Sequence, residues 1–241
     1  MTSADKVKSV DGLLRRVRDL KDASTHIHLY RGQCDDRELL PRLFRPPSVA
    51  KTVRDMEKGL LHRFKNDCPY LLPSRPDNDW DWLSLGQHFG LPTRLLDWTS
   101  NPLNALFFAL DADAHPLPTV YVYHATEKQI VDEEYRDDNS PFGNDQTKIF
   151  QPSWHSPRVA AQAGWHTVHR VHETKGRGKF FRPLDDMKFH QQRLDKIPID
   201  PHAARALFEE LVGLGIRHAT VYGDLGAVCV AIARDFGFTR K

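Results

Sequence analysis

Residues 86 to 110, GQHFGLPTRLLDWTSNPLNALFFAL, constrain the fold of this chain more tightly than any other stretch. Gly90 stops a helix running through about residues 85–89, because a glycine after the last turn takes the left-handed conformation without a Cβ penalty. Pro92 to Trp98 reads as extended. Ser100 or Asn101 then caps a second helix, with Pro102 in its first turn, where a missing N–H is no loss. Leu103, Leu106, Phe107 and Leu110 recur at helical spacing and form its buried face.

The rest of the chain mixes both periods. Val7, Val10, Leu13, Leu14, Val17 and Leu20 define an amphipathic helix over 7–20. HIHLYRG (26–32) alternates as a strand that stops at Gly32. A proline-rich loop over 33–48 ends at Ser48, which caps a helix carrying Val49, Val53, Met56, Leu60, Leu61 and Phe64, with Glu57 beside that stripe. TVYVYHA (119–125) is a strand, and 132–156 is polar and irregular. A short helix from Ser156 leads to a turn at Gly164 and a strand over 165–171, and KGRGKFF forms a hairpin or exposed loop. KIPIDP is a strand feeding a helix over 201–213, which stops at Gly215. RHATVYG is a strand, and a last helix starts at Asp224. The prediction is an α+β fold: a single domain with a mixed or mostly antiparallel central sheet flanked by helices. Residues 1–24 form an N-terminal helix and 25–241 the domain proper.

Bulk numbers exclude several classes. With 241 residues, 40% hydrophobic and 27% charged, the chain is ordinary for a soluble globular protein. A net charge of +2 is too mild to imply nucleic-acid binding by itself. No apolar run approaches a membrane span, and the N-terminus lacks the apolar core of a secretory signal. Cys34, Cys68 and Cys229 are odd in number and widely spaced, against a disulfide framework or a structural zinc site. A cytoplasmic protein with no metal and no membrane partner is expected. P-loop, G-x-S-x-G and H-E-x-x-H motifs are absent.

Helix capping accounts for Thr99, Ser100, Asn101 and Pro102, but not for His88, Thr93, Arg94, Asp97 and Trp98. Arg94 and Asp97 either pair with each other or, with Thr99 and Ser100 at the helix start, make an anion site. There, free N–H groups and the dipole favour a phosphate and arginine adds a bidentate fork. A second concentration is Tyr30-Arg31-Gly32, with Gln33 beside it, where glycine lets backbone approach a guanidinium closely. Gln162 and Gly164 precede another strand, as a turn or as part of the site. His88, Asp97 and Arg94 also allow an acid–base cluster of a nuclease kind. Lys175, Arg177, Lys179 and Arg182, interleaved with aromatics, suit a solvated loop or a nucleic-acid contact.

At LYRGQ and LLPRLFR (29–45), the helix bearing Glu57, and above all QHFGLPTRLLDWTSNPLNALFFA (87–109), the sequence resembles the FRG domain family, named for a Phe/Tyr-Arg-Gly motif. Weaker likeness continues through PRVAAQAGWHTVH and LGIRHATVYGDLGAV, so the resemblance covers roughly 25–235. Trp165 stands where Phe is expected, and VYGDL replaces a Phe-Pro-Asp-Leu type sequence. The family occurs in bacterial and phage-associated proteins. A fainter layout is similar to the Arg-Ser-Glu class of ADP-ribosyltransferases, which implies an NAD-consuming toxin or defence effector with a protein or nucleic-acid acceptor. In that layout Arg31 holds the NAD pyrophosphate, Thr99 and Ser100 support the nicotinamide pocket, and Trp98 or Phe89 stacks on the ring. The expected glutamate is missing: Gln162 occupies the nearest context, and Glu57 is the substitute. A catalytic group of Arg31, Glu57, His88 and Thr99 follows, with NAD held by the remaining candidates. The alternative is a nucleotide- or nucleic-acid-binding sensor that uses the same anion site without turnover.

Overall fold

A computed structural model describes residues 6–20, 25–45, 53–112, 116–144, 146–153, 161–170, 172–174, 178–180, 182–190 and 193–238. Six strands form one open antiparallel sheet: β1 (Ile27–Gln33), β2 (Leu95–Thr99), β3 (Thr119–Ala125), β4 (Lys148–Phe150), β5 (Gly164–Val168) and β8 (Arg193–Pro198), in spatial order β4-β5-β2-β1-β3-β8. β6 (His172–Thr174) and β7 (Gly178–Phe180) pair as a separate antiparallel ribbon. The chain is thus a single α+β domain.

Strand alternation divides the core. Tyr30, Val120, Val122 and Ile197 face α1 (Val10–Asp19), α4 (Pro102–Leu110) and the helix Ala204–Gly213. Leu29, Tyr121, Tyr123 and Leu194 point the other way, into a cluster with Leu96 and Trp98. Because Tyr30 pairs with Thr99, residues Leu95, Asp97 and Thr99 share the face of Tyr30. Over β2, however, that face is covered by α2 (Val53–Asp67) and α3 (Asp79–His88), through Leu61, Trp80 and Leu83 against Leu95 and Val168. Two helical layers therefore cover one sheet face at its two ends. Asp97 lies between them.

The sheet is split at the same place. β1 pairs with β3 along seven residues, but with β2 only at Tyr30–Thr99. Beyond that pair the two strands part.

Local sequence accounts for the elements around the split. Asn78 accepts the Asp81 N–H at 3.0 Å and opens α3. Gly90 at φ +91° closes it, and Leu91 N–H returns to the Gly86 carbonyl. Asn101, not Ser100, caps α4, accepting the Leu103 N–H at 2.9 Å. Gly32 lies directly under α4: a Cβ there would stand 1.8 Å from the Ala105 carbonyl oxygen. The glycine of Tyr-Arg-Gly is thus a packing requirement.

Four readings need correction. β1 runs past Gly32 to Gln33, paired with Thr119. The strand expected over 165–171 is β5, ending at Val168. The region 132–156 holds a helix, Glu133–Asp138, opened by Asp132 accepting the Tyr135 N–H, and the three-residue strand β4. RHATVYG is helical over His218–Tyr222. There His218 and Val221, one turn apart, bury against the α4 core, and Gly223 at φ +61° ends the turn. Packing overrides the β preference of Thr-Val-Tyr. The cap at Ser48, Val49, the helix start at Ser156, and Lys175 and Arg177 lie outside the described residues.

Candidate functional site

The gap between β1 and β2 opens into a cavity of about 350 Å³. Its lining includes Arg31, Arg37, Arg45, Asp97, Thr99 and Gln162, with Phe108 and Tyr222 as its aromatic wall. A smaller hollow of about 100 Å³ shares Asp97, Trp98 and Gln162 with it and adds His88 and His166. Arg31 of β1 and Thr99, the last residue of β2, therefore line one solvent-connected cleft, whereas Ser100 and Asn101 at the start of α4 are not part of its lining.

Arg31 donates to the Asp97 carbonyl oxygen at 2.7 Å, bridging the strands where their backbone pairing has ended. Its Nε reaches Gln33 Oε1 at 3.4 Å, and Gln33 donates to the Arg37 carbonyl at 2.8 Å. Burial lowers the Arg31 pKa; the Asp97 charge opposes this, while Arg45 and Arg37 reinforce it. Burial, then Arg37, likewise lowers Arg45, which donates to the Leu40 carbonyl at 2.9 Å. Arg37 pairs with Asp35 at 2.7 Å. Among the described residues no carboxylate lies within ion-pair distance of Arg31 or Arg45. Arg37 thus lowers both Arg31 and Arg45, and the three guanidiniums bring positive charge to the wall of the open cavity.

Asp97 forms the opposite wall. Its Oδ1 accepts from the Gln87 amide at 2.5 Å and lies 3.2 Å from His166 Nδ1. Desolvation pushes the carboxyl up, but the His166 ring 3.2 Å away, then the Arg31 charge and the Gln87 hydrogen bond, outweigh it and hold the pKa below its ordinary value. The side chain stays 64% exposed through the cleft mouth. Tyr30, buried under α4, lines the inner wall, and burial raises its phenol.

Other candidates are committed elsewhere. Thr99 is buried; its hydroxyl donates to the Gln162 carbonyl at 2.6 Å and accepts the Asn101 N–H at 3.0 Å. With Ser100 N–H on the Ala163 carbonyl, this holds Ala163 at φ +47°, an uncommon conformation for a residue with a Cβ. Ser100 itself is exposed and does not line the cleft. Trp98 is buried, donating to Thr167 Oγ1 at 3.1 Å and packed edge-on against Tyr123, so its ring face is closed. Phe89 is 69% exposed, off the cleft. Thr93 donates to Gln87 Oε1 and so orients the amide that reaches Asp97.

Arg94 and Glu57 form a fully buried ion pair away from the cavity. Glu57 takes Arg94 Nε at 2.5 Å and the Arg94 backbone N–H at 3.0 Å, tying α2 to the start of β2. Arg94 is therefore paired with Glu57 rather than Asp97, and neither partner is open to a ligand. His88 lines the smaller hollow and not the larger one.

Sequence reading assigned no role to Arg37, Arg45, His166, Tyr222 or Gln87. Arg37 and Arg45 stand in the DDRELLPRLFR stretch that follows the Tyr-Arg-Gly strand, a loop whose three arginines are matched by three carboxylates and whose direction only the fold sets. Residues 26–116 match the family pattern of that strand and the α4 segment.

That match is to the FRG domain.

No curated protein and no solved structure matches the chain. The FRG match includes Arg31, Arg45, Asp97 and Thr99, and ends before Gln162, His166 and Tyr222. Part of the cleft is thus built by chain outside the matched segment. Among the described residues no helix is long and apolar enough to cross a membrane. Also among these, no group of three or more His, Cys, Asp or Glu side chains is arranged to hold a metal ion.

Proposed function

We propose that the FRG cleft between β1 and β2 binds an anionic nucleotide, NAD in the first instance, and that the protein consumes it as an ADP-ribosyltransferase-like enzyme or NAD glycohydrolase. The observation that carries this reading is the convergence of Arg31, Arg37 and Arg45 on one open cavity that also holds an ionised carboxylate. Arginine forks suit a diphosphate, and each charge-assisted hydrogen bond contributes about 1.5–3 kcal/mol. A cavity of about 350 Å³ lies in the range of small-molecule sites, and Phe108 and Tyr222 offer apolar surface to a base. The likeness to the Arg-Ser-Glu layout supports the choice of NAD through Arg31. A role as toxin or defence effector, with a protein or nucleic-acid acceptor, belongs to the same reading.

A second reading is a nucleotide sensor without turnover. Thr99 favours it: its one hydroxyl hydrogen is spent on the Gln162 carbonyl, so it acts as architecture. Incubating the protein with NAD, with and without cell extract, and following nicotinamide release decides between them. Turnover supports the enzyme. Calorimetric binding without product supports the sensor, and neither binding nor product removes both.

A further inference from the structure

The geometry points to Asp97 as the catalytic carboxylate of the cleft, with His166, anchored by Ser84, as the residue that positions it. This rests on the nucleotide reading above. Asp97 and His166 are direct cross-strand partners in the β2–β5 pairing. His166 Nδ1 lies 3.2 Å from Asp97 Oδ1, and Ser84 Oγ lies 2.8 Å from His166 Nε2. The polar line runs from the interior outward: Ser84 and His166 are buried, and Asp97 opens to the cavity. Solvent and substrate therefore meet the carboxylate, not the hydroxyl, so the arrangement is the reverse of a serine nucleophile's. Phe150 packs on the imidazole with ring centroids 5.3 Å apart, and Gln87 fixes the same carboxylate oxygen from α3.

Among the described residues, no other carboxylate on the cleft wall is placed for this role. Asp111 also lines the cavity, but its side chain is 4% exposed and tied to His218 at 2.8 Å and to the Tyr222 hydroxyl at 3.1 Å. Glu57 is locked to Arg94.

In the step this implies, the bond between ribose C1′ and the nicotinamide nitrogen breaks. Its electron pair goes to the nitrogen, so neutral nicotinamide leaves without needing a proton. The cationic ribose centre sits beside the Asp97 carboxylate. Water, or an acceptor hydroxyl, adds to C1′, and its proton passes through Asp97 to solvent. Water gives ADP-ribose, nicotinamide and one proton from NAD. The charged and titratable groups facing Asp97 are His166 from β5, Arg31 from β1 and His88 from α3. His166 and Arg31 keep Asp97 ionised.

The test is nicotinamide release from NAD by the full chain, read beside calorimetric NAD binding. Asp97→Asn is expected to lower kcat about 10²–10³-fold while the Kd for NAD stays within threefold. His166→Gln, whose amide overlays Nε2, keeps the Ser84 contact and loses the one to Asp97. It is expected to move the acid limb of the kcat/KM profile upward. His166→Asn, whose amide overlays Nδ1, keeps the limb near wild type. The histidine pair leaves Asp97 in place, so it decides the matter even where Asp97→Asn folds poorly. A wild-type enzyme that turns over while Asp97→Asn keeps more than a tenth of its rate, or whose two histidine variants share one profile, overturns the assignment and spares the nucleotide reading. NAD binding without turnover also overturns it and leaves the sensor, whereas no binding removes the reading itself.

Discussion

Arg31 donates to the backbone carbonyl of Asp97 at 2.7 Å, at the point where β1 and β2 cease to pair. A side chain here takes an acceptor that a strand N–H would otherwise satisfy. The sheet can therefore open without leaving that carbonyl orphaned. The same contact aims a cation into the gap and sets the Asp97 backbone. Opening the sheet and arming the cleft are thus one feature.

Gly32 predicts a severe stability defect. A Cβ would sit 1.8 Å from the Ala105 carbonyl oxygen and 2.5 Å from the Ala109 nitrogen, both backbone atoms of α4. The helix cannot yield without lifting off the Tyr30 face. Gly32→Ala is expected to cost more than about 3 kcal/mol, at the top of the overpacking range. Thermal unfolding of the purified variant checks this, and an unchanged midpoint speaks against the packing argument.

The Glu57–Arg94 pair predicts a stability effect without a binding effect. Removing one partner strands a buried charge, which costs about 3–5 kcal/mol. Glu57→Gln and Arg94→Met are expected to lose this much in urea unfolding, while the double variant recovers part of it. NAD affinity of whatever folds should match wild type. A selective loss of affinity would place the pair in the site after all.

Acidification should destabilise the fold in two windows. Burial holds His169 well below its ordinary pKa, with His190 adding to the shift, and burial also lowers His190 and His124. The unfolded chain takes these protons near pH 6.5 and the folded one resists them, so stability falls as pH drops from about 7 towards 5. Asp35, held down chiefly by its hydrogen bond with Arg37, and Asp97 contribute stability above about pH 4, which is lost as they protonate. Urea midpoints between pH 8 and 3 test both windows, and His169→Gln should flatten the upper one.

Much of this scaffold is legible locally. Asn101, Pro102 and Gly90 mark helix ends through capping and left-handed backbone, and Tyr30-Arg31-Gly32 marks a strand under close packing, although that strand continues to Gln33. What escapes local reading is pairing at a distance. That Asp97 opposes His166 depends on the β2–β5 register, and that Glu57 seals Arg94 depends on how α2 docks. Short elements escape too: three residues of β4 carry no period, and His218–Tyr222 becomes helical only because Phe107 packs against it. Arg37 and Arg45 lie on a loop whose fold turns them towards Arg31, which spacing along the chain does not encode.

The most direct measurement is a calorimetric titration of wild type and Arg31→Ala with NAD at moderate salt. A single saturable site is expected in wild type, weakened at least tenfold in Arg31→Ala, equivalent to about 1.4 kcal/mol or more, while the variant still unfolds cooperatively at a midpoint lowered by loss of the bond to the Asp97 carbonyl. Absent heat and absent protection in wild type, or equal affinity in a well-folded Arg31→Ala, would contradict an anion-binding cleft between the first two strands.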